Sequence, residues 1–592
     1  MALKKSLLLL HLLAFTVNLP SFAGEPVTTH LENRAASYDE VIRVYRQLDR
    51  MYAEARMFNM GNGDNGRPIP HFVISPDRIF DREELRNKGY TVIFINNGIH
   101  PGEPDGIIAS MQLAKGLLEG SIPQPPKTVL VIIPVYNVDG AMNCSKYFRS
   151  GQNGPEVVGF RGNSRNLDLN RDFIKCDSEN ARTFCRIYKE WDPDVFVDTH
   201  VSDGADYRHV MTLIDSQKDK LHPLISKVMQ EQLLPVLYRE MDKAGFPMCP
   251  YVTVWGEDPS KGMNAFLETP RYASGYSALF NAFPFVTETH MLKPFAQRVE
   301  ATLCFLKVLI NACAGLGDTL VQAREAANSY VAEKQQVFPL QWAVDRTAYD
   351  SILFMGYRTK KVRSEVTGLD ILQFDHDSPY DTYIPYYNNY SVKLSAEKPA
   401  AYLLPQAWHE VIDRMKLNRV QMSRLSKDTV LQAEVYRITN HQSPATPYEG
   451  HFLHTGVTVD TDTQYISCHA GDYVINCDQA SNRYIIETLE PHAPDAFFAW
   501  NFFDAILQQK EWFSDYLFDS VAAGLLKGDP VLRAGFDEKK RTDSAFAANP
   551  WSMYSYIFRH SPWLEPTYLR YPVLRLMARL PEEVTEAVNK KE

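Results

Sequence analysis

The chain has 592 residues, 45% of them hydrophobic and 23% charged, which is ordinary globular usage and argues against long disorder. That length is too great for one core and implies roughly two to four folding units. The formal net charge of −10 at pH 7 offers no basic footprint, so neither nucleic acid nor an anionic lipid surface is an expected partner.

Lys4 and Lys5, an apolar run over 6–17, and Ser21-Phe22-Ala23 with small residues at both recognition positions read as an export signal cleaved after Ala23. The run is shorter than the ~20 residues needed to cross a bilayer, and no later segment is expected to reach that length. A periplasmic or secreted mature chain with no membrane span follows, and there its eight cysteines could pair.

Ser37-Tyr38-Asp39-Glu40 has capping-box spacing, and Val41, Val44, Tyr45, Leu48 and Tyr52 recur at helical period, which predicts a first helix. Turn chemistry over 61–68 leads to a strand at 69–74. Further strands are expected at 91–95, 128–135, 195–198, 209–214 and 285–287, with helices at 105–118, 178–191, 222–243 and 295–314. Short apolar strands separated by helices predict an α/β fold with a mixed, mostly parallel sheet and flanking helices. Gly315-Leu316-Gly317 is expected to end the last of these helices.

The expected layout is a signal peptide at 1–23, an α/β domain at 37–316, a helical connector at 317–339, a β-rich domain at 340–494 and a helical region at 495–592. Runs at 430–439, 457–467 and 483–488 carry the β reading, and helices are expected at 496–508, 512–525 and 530–536. Phe497, Phe498, Trp500, Phe502 and Phe503 read as core packing rather than as a sugar-binding platform. Cys304 and Cys313 fall in one predicted helix about 13 Å apart, beyond disulfide reach. Cys468 and Cys477 flank the turn signal Gly471-Asp472, which predicts a cross-strand disulfide.

His100 and Glu103 sit in the turn between the strand at 91–95 and the helix at 105–118. An imidazole and a carboxylate at this spacing can share one metal ion, although one such pair is expected about once by chance in a chain with 16 histidines. His200 closes the strand at 195–198, at the end where open α/β sheets collect ligands. Two nitrogens and one oxygen with a fourth position left for water is the composition of a catalytic zinc site. Between 161 and 172 the chain gathers Arg161, Arg165, Arg171, three asparagines and two aspartates, and a guanidinium there offers a fork that matches a carboxylate. Glu288 stands alone in an apolar run, where a buried carboxylate must be partnered, metal-linked or catalytic.

Over residues 37–314 these segments resemble, in order, the zinc carboxypeptidases related to pancreatic carboxypeptidase A. The resemblance implies one Zn2+ per chain held by His100, Glu103 and His200. Asn137-Val138-Asp139-Gly140 is similar to the family's Asn-Pro-Asp-Gly turn, with valine in place of proline. By the same match, Arg161 polarises the scissile carbonyl and Asn170 with Arg171 grips the substrate's terminal carboxylate. Asp168 orients His100, Glu288 is the general base, and Tyr276 is the substrate-covering tyrosine, with Tyr272 as its competitor. Residues 340–592 resemble extensions of bacterial members, from which no activity is carried over.

The implied function is an exported zinc metallocarboxypeptidase that removes C-terminal residues from peptides with a free C-terminus. Two other functions fit the same residues: a cell-wall peptide or amide hydrolase using the same site, and a catalytically silent binding protein of the same fold.

Overall fold

Strands buried along their whole length must be covered on both faces, and the long apolar runs build such a layer. The computed structural model describes residues 27–587, so the expected export signal at 1–23 lies outside the described residues. Eight strands form one sheet: β1 (Ala55–Asn62), β2 (Pro68–Ile74), β3 (Thr91–Asn97), β4 (Thr128–Ile133), β5 (Val195–Ser202), β6 (Met211–Ile214), β7 (Cys249–Pro250) and β8 (Phe283–His290). Their order is β1-β2-β4-β3-β5-β8-β6-β7. The central run β4-β3-β5-β8 is parallel, while β2 and β6 join it antiparallel and β1 pairs antiparallel with β2. Every residue of β3, β4 and β5 is buried. The mixed α/β class expected from the apolar pattern is the one observed.

Helix α1 (Tyr38–Met51) opens with the predicted capping box, Glu40 accepting from the Ser37 amide at 2.7 Å. Helix α2 (Asp105–Glu119) packs against α4 (Phe295–Glu333). From α3 (Glu179–Trp191), Phe184 and Tyr188 lie against Phe94 and Phe196 of the sheet.

The expected stop at Gly315-Leu316-Gly317 does not occur, because α4 runs through both glycines. A glycine inside a helix costs about 1 kcal/mol relative to alanine, but Leu309, Ile310, Cys313 and Leu320 are fully buried on either side and their packing outweighs that cost. A Cβ at Gly317 would stand 2.8 Å from Thr91 Oγ1, so the missing side chain lets the helix approach the start of β3. Contrary to expectation, α4 is also long and apolar enough, by length and composition, to cross a membrane. Its buried stripe, including Val299, Phe305 and Leu306, accounts for that apolarity as core packing.

In the second half, residues 483–488 are not a strand but part of the helix Asn482–Leu489. A short apolar run is equally compatible with a buried strand and a buried helix; here Arg483 and Glu487 pair at 3.0 Å across one helical turn, a contact that a strand would not make. Over 496–508 the expected helix gives way to turns and one 3-10 segment at Asp504–Leu507, with Asn501 at a left-handed φ of 65°. Phe497, Phe498, Trp500 and Phe503 are fully buried, as core packing requires.

A seven-stranded sheet contains the hairpin β9 (Thr429–Gln442) and β10 (Thr455–Cys468). Tyr473–Asn476 does not pair with β10 but with Ala401–Leu404 and Ser423–Leu425. Cys468 ends β10, Cys477 follows a strand separated from β10 by three others, and both are free thiols rather than the expected cross-strand disulfide. The two halves of the chain share one apolar core: Phe280 stacks on Tyr484 at 5.7 Å, and Arg271 pairs with Asp495 at 2.7 Å.

One polar group lies deep in that core. Arg298 of α4 is fully buried and pairs with Asp105, the first residue of α2, at 2.8 Å. Thr289 of β8 donates to the same carboxylate oxygen at 2.5 Å, and the remaining guanidinium N–H groups reach the carbonyls of Asn153, Gly154 and Lys293. Replacing Asp105 with alanine strands the guanidinium without a counter-charge, which should cost about 3–5 kcal/mol. Urea unfolding of Asp105→Ala beside the parent chain measures it, and an unchanged midpoint would show that Arg298 is satisfied by carbonyls alone.

Candidate metal centre and substrate cleft

At the end of β3 the chain turns through Gly98, whose φ is 67°. The Glu103 amide donates to the His100 carbonyl at 2.9 Å, closing a turn that brings both side chains to the C-terminal edge of the sheet. His200 lies in β5, and Glu288 stands directly beside it in register on β8. His100 Nδ1 is 3.2 Å from Glu103 Oε1, and His200 Nδ1 is 3.1 Å from Glu103 Oε2. One ligand atom from each residue lies within 4.8 Å of the other two. Ligands about 2.0 to 2.2 Å from a tetrahedral ion are spaced by about 3.4 Å, so the three donors suit zinc in number, type and spread.

The other nitrogen of each ring is already engaged. His100 Nε2 lies 2.9 Å from Asp168 and His200 Nε2 lies 2.8 Å from Asp198, leaving both Nδ1 atoms to face Glu103. Carboxylates in this position fix the rotation and tautomer of metal-binding imidazoles. Asp198 is absent from the sequence-derived site, yet a signal for it existed: residues two apart on a strand share a face.

Burial opposes the charge of Glu103, but Arg149 and His100 outweigh it and hold the carboxyl well below the usual range. Arg149, which no local motif pointed to, donates to Glu103 Oε1 at 2.8 Å and to the Val201 carbonyl at 2.9 Å. Arg161 lies 2.9 Å from Asp168 and 3.6 Å from Glu103. Burial pushes the Glu288 carboxyl up to about 8, with His200 pulling against it and the charge of Glu103 adding to it.

These groups open into a cleft of about 570 Å³ that also presents Arg161, Asn170, Arg171, Tyr251, Trp255 and Tyr272. The Asn170 side-chain oxygen accepts from the Ala273 amide at 3.1 Å, and the Arg171 guanidinium lies 4.3 Å above the Tyr272 ring. Tyr276, the expected covering tyrosine, is not in the cleft. It is fully buried, donates to Asn418 at 2.6 Å and packs among Phe173, Tyr188 and Phe280. One turn of the helix Ala273–Ala278 carries it inward, while Tyr272, at the N-cap of that helix, stays on the wall of the cleft.

Residues 41–239 match the family model described as zinc carboxypeptidase. That stretch contains His100, Glu103, His200 and the loop from Arg161 to Arg171, whereas Glu288 and the second half of the chain lie beyond it. Carboxypeptidase 2 of Trichophyton equinum is 21% identical over 463 residues, covering 73% of this chain and 78% of that protein. Carboxypeptidase 2 of Trichophyton rubrum is 20% identical over 463 residues, with the same coverage. Among solved structures, carboxypeptidase A of Helicoverpa armigera aligns with a TM-score of 0.35 and 16% identity over 48% of this chain and 74% of that one. A metallo-carboxypeptidase of Pseudomonas aeruginosa aligns with a TM-score of 0.35 and 15% identity over 48% and 70%. The match to the zinc carboxypeptidase family model thus spans the part of the chain that brings His100, Glu103 and His200 together.

Proposed function

We propose that the protein is an exported zinc metallocarboxypeptidase, which releases residues from the free C-terminus of peptide substrates. The observation that carries this reading is the meeting of two Nδ1 atoms and a carboxylate at the same cleft as Glu288 and Arg171. Zinc held by His100, Glu103 and His200 would polarise the scissile carbonyl and lower the pKa of water.

The chain's own groups supply the remaining work. Asp168 and Asp198 hold the imidazoles in place. Glu288 accepts a proton from the attacking water and returns it to the departing amine. Arg161 faces the ligand cluster with its guanidinium and stabilises charge that develops on the carbonyl oxygen. Asn170 and Arg171 line the cleft where a free terminal carboxylate would seat. Export rests on the residues at 1–23.

Three variants test this assignment. His200→Ala removes one of three ligands and should leave substoichiometric zinc after dialysis by elemental analysis; full occupancy would sink the ligand set. Glu288→Gln keeps size and a hydrogen-bonding oxygen but takes up no proton, so zinc content and melting temperature should hold while kcat falls about 10²- to 10⁴-fold. A stable, zinc-replete variant with near-normal turnover would remove Glu288 from the chemistry. Arg171→Ala should weaken handling of free-carboxylate peptides by about 2 to 5 kcal/mol while sparing amidated ones. Mass spectrometry of digests of the paired peptides reads the difference, and equal loss on both would favour an amide or endopeptide hydrolase.

A further inference from the structure

The segment that joins β9 to β10 leaves its own sheet and ends against the loop that carries Arg171. Its tip, Tyr448 to His451, is a closed turn: the Tyr448 amide donates to the His451 carbonyl at 2.7 Å and the His451 amide returns the bond at 3.0 Å. Glu449 and Gly450 take left-handed φ values of 51° and 83° to make it. From this turn the Tyr448 hydroxyl accepts from Arg171 Nε at 3.0 Å, and Glu449 Oε2 accepts from the Asp168 amide at 2.7 Å.

The turn is itself anchored. The Tyr448 ring lies parallel to Trp500, 6.2 Å between centroids and 18° between planes. His451 reaches Asp177 at 2.7 Å. Arg171 is thus held on three sides: Tyr448 at Nε, the Asn170 carbonyl at Nη1 (2.8 Å), and the Tyr272 ring 4.3 Å from its centre. Its Nη2 has no hydrogen-bond partner among the described residues, and the residue lines the cleft. A long side chain that must be ordered on binding loses affinity to that ordering, and one already held does not.

We propose that Tyr448 is a positioning residue that presets the Arg171 guanidinium for the substrate's terminal carboxylate, so that the second half of the chain completes the substrate site. This rests on the carboxypeptidase reading above. Tyr448 does not itself line the cleft and its hydroxyl reaches it through Arg171, so its effect falls on binding and not on the chemical step.

Tyr448→Phe removes only the hydroxyl and keeps the ring over Trp500. With free-carboxylate peptides, KM should rise about tenfold, the scale of one hydrogen bond to a charged group, while kcat stays within about twofold. In an Arg171→Ala background the same change should add nothing, because its effect passes through Arg171. KM does not depend on the fraction of folded enzyme, so a lowered melting temperature leaves the measurement valid. An unchanged KM, a fall in kcat at constant KM, or a further loss in the Arg171→Ala background overturns the proposal while leaving the proposed function standing. A parent chain that releases no C-terminal residue from any of the peptides removes both.

Discussion

The Asp105–Arg298 ion pair is the constraint on which the geometry of the site depends. Two desolvated charges are favourable only when their remaining hydrogen-bonding capacity is filled. Here Thr289 and backbone carbonyls on the loop at 153–154 and in the turn after β8 fill it. The contact ties three elements at one point, and the chemistry lies beside it in sequence: Glu103 two residues before Asp105, and Glu288 one residue before Thr289. Because successive residues on a strand face opposite ways, anchoring Thr289 inward turns Glu288 to the opposite face of β8. The parallel register with β5 then sets Glu288 beside His200.

Around that frame the site is an exercise in pairing buried charges. Glu103, Asp168, Asp198 and Glu288 are gathered against two imidazoles, Arg149 and Arg161, and each carboxylate except Glu288 has a close partner. A group left alone in such surroundings is driven toward its neutral form, and Glu288 is the one raised. The same pairing divides the carboxyls: Arg149 and His100 hold Glu103 low against its burial, whereas burial raises Glu288. The cleft presents Arg149, Arg161 and Arg171 beside Glu103, Asp203 and Glu288, so formal charges of both signs are matched in number there.

Much of this was legible in the sequence where the signal was local. The unbroken apolar runs of β3, β4 and β5 announce a sheet covered on both faces, and His100, Glu103 and the loop at 161–172 stand at turns that such a sheet places at its C-terminal edge. What stayed hidden is carried by contacts between distant segments. Arg298 meets Asp105 across 193 positions, and Arg171 meets Tyr448 across 277. Tyr272 and Tyr276 differ by one helical turn, and only the core that receives Tyr276 distinguishes them. The glycines within α4 failed as a stop signal for the same reason: propensity is worth about 1 kcal/mol per residue and yields to packing on both flanks.

The loop from Asp168 to Asp177 shows why the second half of the chain is part of this site. It lies between elements of the sheet, and much of its support comes from elsewhere. Arg414 donates to the Lys175 and Cys176 carbonyls and pairs with Asp177 at 3.1 Å, His451 takes the other oxygen of Asp177, and Glu449 receives the Asp168 amide. Asp168, Asn170 and Arg171 all ride on this loop, so its conformation governs both the orientation of His100 and the seat for a substrate terminus. The sheet and the Asp105–Arg298 pair place His100, Glu103, His200 and Glu288, whereas the segment between β9 and β10 and the helix His409–Leu417, which carries Arg414, brace the loop that bears Asp168, Asn170 and Arg171. Through Asp168 and Arg171 that one loop links the second half of the chain both to His100 and to the cleft.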